Sequence, residues 1–152
     1  MSTPVSIVLP AATAPAEVPL SAAAPLPISK ATGYPPGCTP LIAGSGNVAN
    51  ASAVATLTPS ATATMYLSGF EITGSGATAG LPVTVTVAGL LGGTRSYTYT
   101  FAVGALVGNT PLIVEFEHPL PASAINTAIV VTCPASGAGG TNNTVVAHGY
   151  YL

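Results

Sequence analysis

Pro82–Val103 reads PVTVTVAGLLGGTRSYTYTFAV, and its alternation decides the fold. Val83, Val85 and Val87 alternate with Thr84 and Thr86; further on, Tyr97, Tyr99 and Phe101 alternate with Ser96, Thr98 and Thr100. Two runs of period 2, rich in β-branched and aromatic side chains, predict two strands. Between them Ala88–Arg95 carries Gly89, Gly92 and Gly93, and glycine reaches positive φ without a Cβ clash. The stretch is therefore read as a β-hairpin with one face of Val, Tyr and Phe and one face of hydroxyls.

The same rhythm continues on both sides. Upstream, Thr62–Thr73 (TATMYLSGFEIT) predicts one long strand with Gly69 as a candidate bulge, followed by a loop at Gly74–Gly80. Downstream, Gly104–Thr110 turns the chain. Pro111–Glu117 is a strand with Leu112, Val114 and Phe116 facing in and Ile113, Glu115 and Glu117 facing out, and Pro119-Leu120-Pro121 is expected to end it. Ile125–Cys133 follows, with Thr127, Ile129, Val131 and Cys133 on one face. Pro134–Gly140 is a loop, and Asn143–Tyr151 closes the domain with Val146, His148 and Tyr150 opposite Val145, Ala147 and Tyr151. No segment has helical periodicity. Turns at intervals of roughly 8 to 14 residues are the spacing of a sandwich. The expected fold is all-β, a jelly-roll-like antiparallel β-sandwich over residues 60–152.

Residues 1–40 are different. Pro4, Pro10, Pro15, Pro19, Pro25, Pro27, Pro35, Pro36 and Pro40 exclude helices and central strands. The segment reads as an extended Pro/Ala-rich arm of polyproline-II character. Its apolar residues Val5, Ile7, Leu9, Val18, Leu20, Leu26 and Ile28 need a surface to lie on, and they are the candidate partner-binding residues. That surface is either a neighbouring molecule or the chain's own domain; so long an arm favours the neighbour. Residues 41–59 are a linker or a short-strand region. Within them Gly44–Ala49 matches G-x-G-x-x-A, but ANASAVATLTPS after it is a poor helix and no βαβ pattern follows. A Gly-rich loop is expected there rather than a dinucleotide site.

Composition narrows the function. Only 4% of the 152 residues are charged, where soluble domains carry about 25%. The set is Glu17, Lys30, Glu71, Arg95, Glu115 and Glu117. Such a surface is made of Thr, Ser, Asn, Gly and Ala, or it is covered by partners, which suits life within an assembly. Two basic residues and a net charge of −2 argue against nucleic acid, because phosphate binding needs several Lys or Arg. No apolar run approaches the ~20 residues of a membrane helix, so no membrane partner is expected. The run Val5–Leu9 is short for a signal peptide, and no Lys or Arg precedes Lys30. Cys38 and Cys133 are read as reduced thiols, with a bridge between them as the alternative.

Little chemistry is on offer. Glu115, Glu117 and His118, with His148 if its strand is adjacent, are the one set that could hold a metal or act as acid and base. A metal site would want more ligands than this neighbourhood offers, so a solvated polar strand end followed by a Pro-initiated turn is the expected reading. No Ser lies in a G-x-S-x-G elbow, and Cys133 has no evident base. The chain is expected not to be an enzyme and to use no cofactor or metal. Tyr66, Tyr97, Tyr99, Tyr150 and Tyr151 lie on predicted strands, either half-buried or as a platform for a sugar ring.

Over residues 60–152 the chain resembles the capsid decoration, or cement, proteins of tailed bacteriophages. The resemblance is carried by the Gly/Thr/Val strand rhythm, by PLIVEFEHPLPAS at 111–123 and by HGY at 148–150. It implies a jelly roll or related sandwich, a homotrimer, and binding to the major capsid protein on the outer capsid surface where capsomers meet. The arm would be the tether. The protein would be made in the host cytoplasm and end in the virion. No active-site motif is shared, so no residue role is carried over. The alternative is a tail-fibre or adhesin-like module that binds host glycan through exposed tyrosines.

Overall fold

The computed structural model describes residues 34–78, 82–104, 107–137 and 141–152. Two compact units are distinguished, Met1–Pro35 and Pro36–Leu152. Only Tyr34 and Pro35 of the first are among the described residues, so the arm residues Val5, Ile7, Leu9, Val18, Leu20, Leu26 and Ile28 lie outside them.

The second unit is built from β1 (Thr39–Gly44), β2 (Val48–Ala49), β3 (Ala53–Leu57), β4 (Met65–Ser75), β5 (Pro82–Ala88), β6 (Arg95–Thr100), β7 (Leu112–Pro121), β8 (Ile129–Cys133) and β9 (Asn142–Tyr151). No helix occurs among the described residues. One sheet has the order β1-β9-β4-β7, with β2 added to β9; the other has the order β3-β8-β5-β6. Every pairing between these strands is antiparallel. Leaving β2 aside, the pairs are nested: β1 with β9, β3 with β8, β4 with β7, and β5 with β6. The chain is thus one long double strand, folded back at β5–β6 and rolled so that alternate pairs fall in opposite sheets. That is the jelly-roll topology. The hairpin at Pro82–Val103 is its turning point.

The hairpin forms as its alternation demands. Val83 lies opposite Tyr99, Val85 opposite Tyr97 and Val87 opposite Arg95. Val85 and Val87 are fully buried, while Thr84 and Thr98 are exposed. Gly89, Gly92 and Gly93 turn the chain with φ of 86°, 92° and 97°. A side chain at Gly89 would strike the backbone carbonyl of Ala128, so that glycine is required by space as well as by φ.

Between the sheets, Leu67, Phe70, Ile72, Val145 and Ala147 face Ala55, Leu57, Val85, Val87, Ile129 and Val131, all fully buried. Phe70 meets Tyr97 of the other sheet edge-on at 5.3 Å and Phe116 at 6.4 Å. Burying such side chains contributes about 1.5–3 kcal/mol each before chain entropy is counted.

Some expectations need correction, and two alternatives left open, for residues 41–59 and for the cysteines, are decided. Pro119-Leu120-Pro121 does not end β7, which runs through Pro121. β7 is an edge strand, where a missing N–H on the open side breaks no ladder bond. Pro40 is accommodated in β1 for the same reason, β1 being the opposite edge. The strand expected at Ile125–Cys133 begins only at Ile129, because Asn126 adopts a left-handed turn with φ 62°. The stretch 41–59 supplies most of β1, together with β2 and β3, and Ala53, Ala55 and Leu57 of β3 are core residues. Cys38 and Cys133 are both free, so no bridge joins them.

Candidate functional surfaces

β4 lies between β9 and β7, with Gly69 opposite His148 on one side and Glu115 on the other. The register of β4 shifts between Leu67 and Gly69 against both neighbours, so the expected bulge is present. A Cβ at Gly69 would lie 2.6 Å from the Val114 carbonyl oxygen and 2.8 Å from both Glu115 Oε2 and His148 Nε2. The absent side chain leaves a gap over β4, and the two flanking side chains meet in it. His148 Nε2 lies 3.2 Å from each carboxylate oxygen of Glu115. The His148 side chain is 20% exposed and that of Glu115 62%, so water screens the contact.

Of the four residues singled out for metal or acid–base work, the structure brings these two together. Glu117 and His118 are exposed further along β7. Among the described residues, no three His, Cys, Asp or Glu side chains are grouped to hold a metal ion. The pair can act as a strap between β9 and the edge strand β7. Sequence spacing could not reveal it, because the pairing of residues 33 apart depends on a third strand between them.

The tyrosines do not form a solvent-facing platform. Tyr97 and Tyr99 are half-buried beside the core, and Tyr99 stacks edge-on with Phe101 at 4.9 Å. Tyr66 stacks on Tyr150 with ring centres 5.2 Å apart and planes 12° from parallel. Tyr150 is buried; burial, and after it the nearby Tyr66 and Cys38, raise the pKa of its phenol. The Tyr151 hydroxyl donates to the Thr58 carbonyl, and the Tyr99 hydroxyl to the Thr110 carbonyl. A shallow groove of about 340 Å³ borders Tyr99, Phe101 and Asn109. Asn109 is tied to the end of β6 there: its amide Nδ2 donates to the Thr100 carbonyl and its Oδ1 accepts from the Ala102 N–H.

Gly44–Ala49 joins β1 to β2, and β3 follows; no helix begins there to receive a phosphate. The Ser45 hydroxyl accepts the Val145 N–H at 3.0 Å, which fixes this loop to β9. Its polar groups serve the fold.

The loops at one end of the sandwich carry a second feature that sequence reading missed. Leu91, Ile125 and Leu152 are 67%, 52% and 56% exposed. They are far apart in the chain and share an end because nested pairing brings together the start of β1, the β3–β4, β5–β6 and β7–β8 connections, and the end of β9.

Comparison of the chain with protein-family models, with curated proteins and with solved structures finds no match.

Proposed function

We propose that this protein is a structural component of a virion, a subunit that decorates and stabilises a phage capsid by binding the major capsid protein on its outer surface. The reading is carried by a jelly-roll body whose described residues hold only Glu71, Arg95, Glu115 and Glu117 as charged side chains, Asp, Glu, Lys and Arg being counted. A body so poor in ions gains little by standing alone in water, and it titrates little. Jelly rolls serve both capsids and sugar-binding proteins, so topology by itself is an analogy. The half-buried tyrosines weigh against the glycan-binding alternative.

In this role the work is mechanical. Apolar area buried between capsomers stabilises the shell by about 25 cal/mol per Å² and is repeated over many copies. The Pro/Ala-rich arm supplies apolar residues on a stiff chain that loses little entropy on docking. The protein acts as a homotrimer.

The test is co-sedimentation with expanded empty heads. Deleting residues 2–30 is expected to leave a folded β-domain and to weaken head binding at least tenfold, about 1.4 kcal/mol. Equal binding by the truncated and full chains would refute the arm's role, and no binding by the full chain would refute the decoration reading.

A further inference from the structure

We infer that Asn109 guards the open edge of β6, its side chain standing where a second copy of this chain would otherwise add a strand. The inference goes beyond the decoration reading and does not depend on it. Three observations carry it.

The first is the sequence of the edge. Residues 96–102 read SYTYTFA, a run of high β-propensity with no charge, proline or glycine. That composition is the signature of segments that stack against identical copies of themselves. β6 ends the small sheet, and among the described residues no strand pairs with its outer side. Proteins blunt such edges with charges, prolines or bulges. Arg95, the first residue of β6, is the one charge on it, and its guanidinium lies over the Phe116 ring.

The second is which backbone groups lie open. Thr100 is opposite Pro82, which has no N–H to offer it. The Thr100 carbonyl points instead toward Asn109, away from β5. Alternation turns the N–H and C=O groups of Ser96 and Thr98 the same way. Ser96, Thr98 and Thr100 are all exposed. A row of outward groups from residue 96 to residue 102 is as long as an ordinary strand, about five to six residues.

The third is what Asn109 does to that row. Its Nδ2 donates to the Thr100 carbonyl at 3.2 Å, and its Oδ1 accepts from the Ala102 N–H. One donor and one acceptor spanning alternate residues are what a single residue of an added parallel strand supplies. The carboxamide is held from the other sheet, since the Asn109 N–H donates to the Gly74 carbonyl of β4 at 3.0 Å. Next to it the Tyr99 hydroxyl donates to the Thr110 carbonyl. With the far end of the row occupied, Ser96 and Thr98 are what remains open, a stretch at the short limit of strand lengths.

The experiment is light scattering on the full chain across a range of concentrations. The wild type's own mass is the reference, whether it is one copy or several, so a failure of the decoration reading leaves the test intact. Asn109→Ala is expected to rise with concentration to at least about twice the wild-type mass, because edges that pair join two particles. Adding Thr98→Pro is expected to restore the wild-type mass. The Thr98 N–H faces the open side, so proline removes a bond from an added strand and none from the ladder with β5. Urea unfolding checks that each variant is folded, and Asn109→Ser repeats the test should the alanine unfold. Hydrogen exchange on the wild type needs no variant: the Ala102 amide is expected to exchange about tenfold more slowly than those of Ser96 and Thr98, or slower still. An Asn109→Ala protein that keeps the wild-type mass at every concentration overturns the inference, as does association that Thr98→Pro leaves unchanged. An Ala102 amide that exchanges as fast as that of Thr98 overturns it too.

Discussion

On the outer face of the large sheet stand Glu71, Glu115 and His148, with Glu117 exposed further along β7, whereas the small sheet turns out Val54, Thr56, Thr84, Thr86, Thr98 and Thr132. The inner faces are of one kind, aliphatic and aromatic, so the core does not explain the difference. The edges suggest a reason. β7 is a long edge strand, and it carries Glu115, Glu117, Pro119 and Pro121, the residues that discourage a stray strand from adding on. β6, the matching edge of the small sheet, has Arg95 alone among charged residues and no proline. The guanidinium of Arg95 lies over the Phe116 ring, 5.9 Å from its centre, and so ties that edge to β7. One face is shaped by side chains reaching across strands; the other is a ladder of short hydroxyls that need no partner.

The sharpest way to break this contrast is at Gly69. Gly69→Val places carbon against the Val114 carbonyl and displaces His148 from Glu115. The loss is expected to be about 2–3 kcal/mol, from overpacking against backbone that cannot yield. The matched change on the other face, Thr98→Val, is expected to stay within about 0.5 kcal/mol. Urea midpoints of the two variants decide it. Equal effects would mean that the gap over β4 has no structural role and that the two faces are alike in energy.

The same contrast shows what could be read from residues alone. The hairpin β5–β6, the in–out pattern of β7 and the bulge at Gly69 were legible, since period 2 and an isolated glycine are local signals. β3 was not, because Ala53 and Ala55 have weak strand preference and are held there by burial and by pairing with β8. Pro119 and Pro121 misled because a proline's effect depends on whether its strand is an edge, which only the sheet order reveals. His148 with Glu115, and Leu91 with Ile125 and Leu152, were invisible for a common reason. Each group is assembled by the nesting of the pairs, and nesting leaves no mark at any single position. The arm residues from Val5 to Ile28 remain a reading of composition, lying outside the described residues.

A second test divides the sheets by pH. Cys133, at the end of β8, is fully buried, and burial pushes its thiol up from 9.0 to about 11. Between those values the unfolded chain gives up this proton while the folded chain keeps it. The stabilisation is complete below about pH 9 and is lost as pH rises through 11. The slope from this group is at most ~1.4 kcal/mol per pH unit. Urea midpoints in reducing buffer should therefore fall from pH 9 to 11, and less steeply in Cys133→Ala after its constant cavity cost is subtracted. Parallel curves for the two proteins would show that the small sheet holds no such group.

The smallest effect belongs to the strap itself. Glu115→Gln keeps the shape of the side chain and a carbonyl oxygen that His148 can still approach, but removes the charge. Because the carboxylate is 62% exposed, the expected cost is below about 1 kcal/mol at low salt and vanishes at high salt, where exposed pairs are screened. This separates two meanings of the gap at Gly69. If the gap exists for the ion pair, Gly69→Val and Glu115→Gln should be costly in proportion, and the double variant should cost less than their sum. If it exists because the bulged backbone of β4 has no room for a side chain, the valine should be costly whatever stands at position 115. The distance of 2.6 Å to the Val114 carbonyl favours the second: backbone cannot move aside as a side chain can. Because the valine also displaces His148 from Glu115, the double variant is expected to fall short of the sum, but by no more than the strap's own cost of below about 1 kcal/mol. A larger shortfall would make the strap, rather than the backbone, the reason for the glycine.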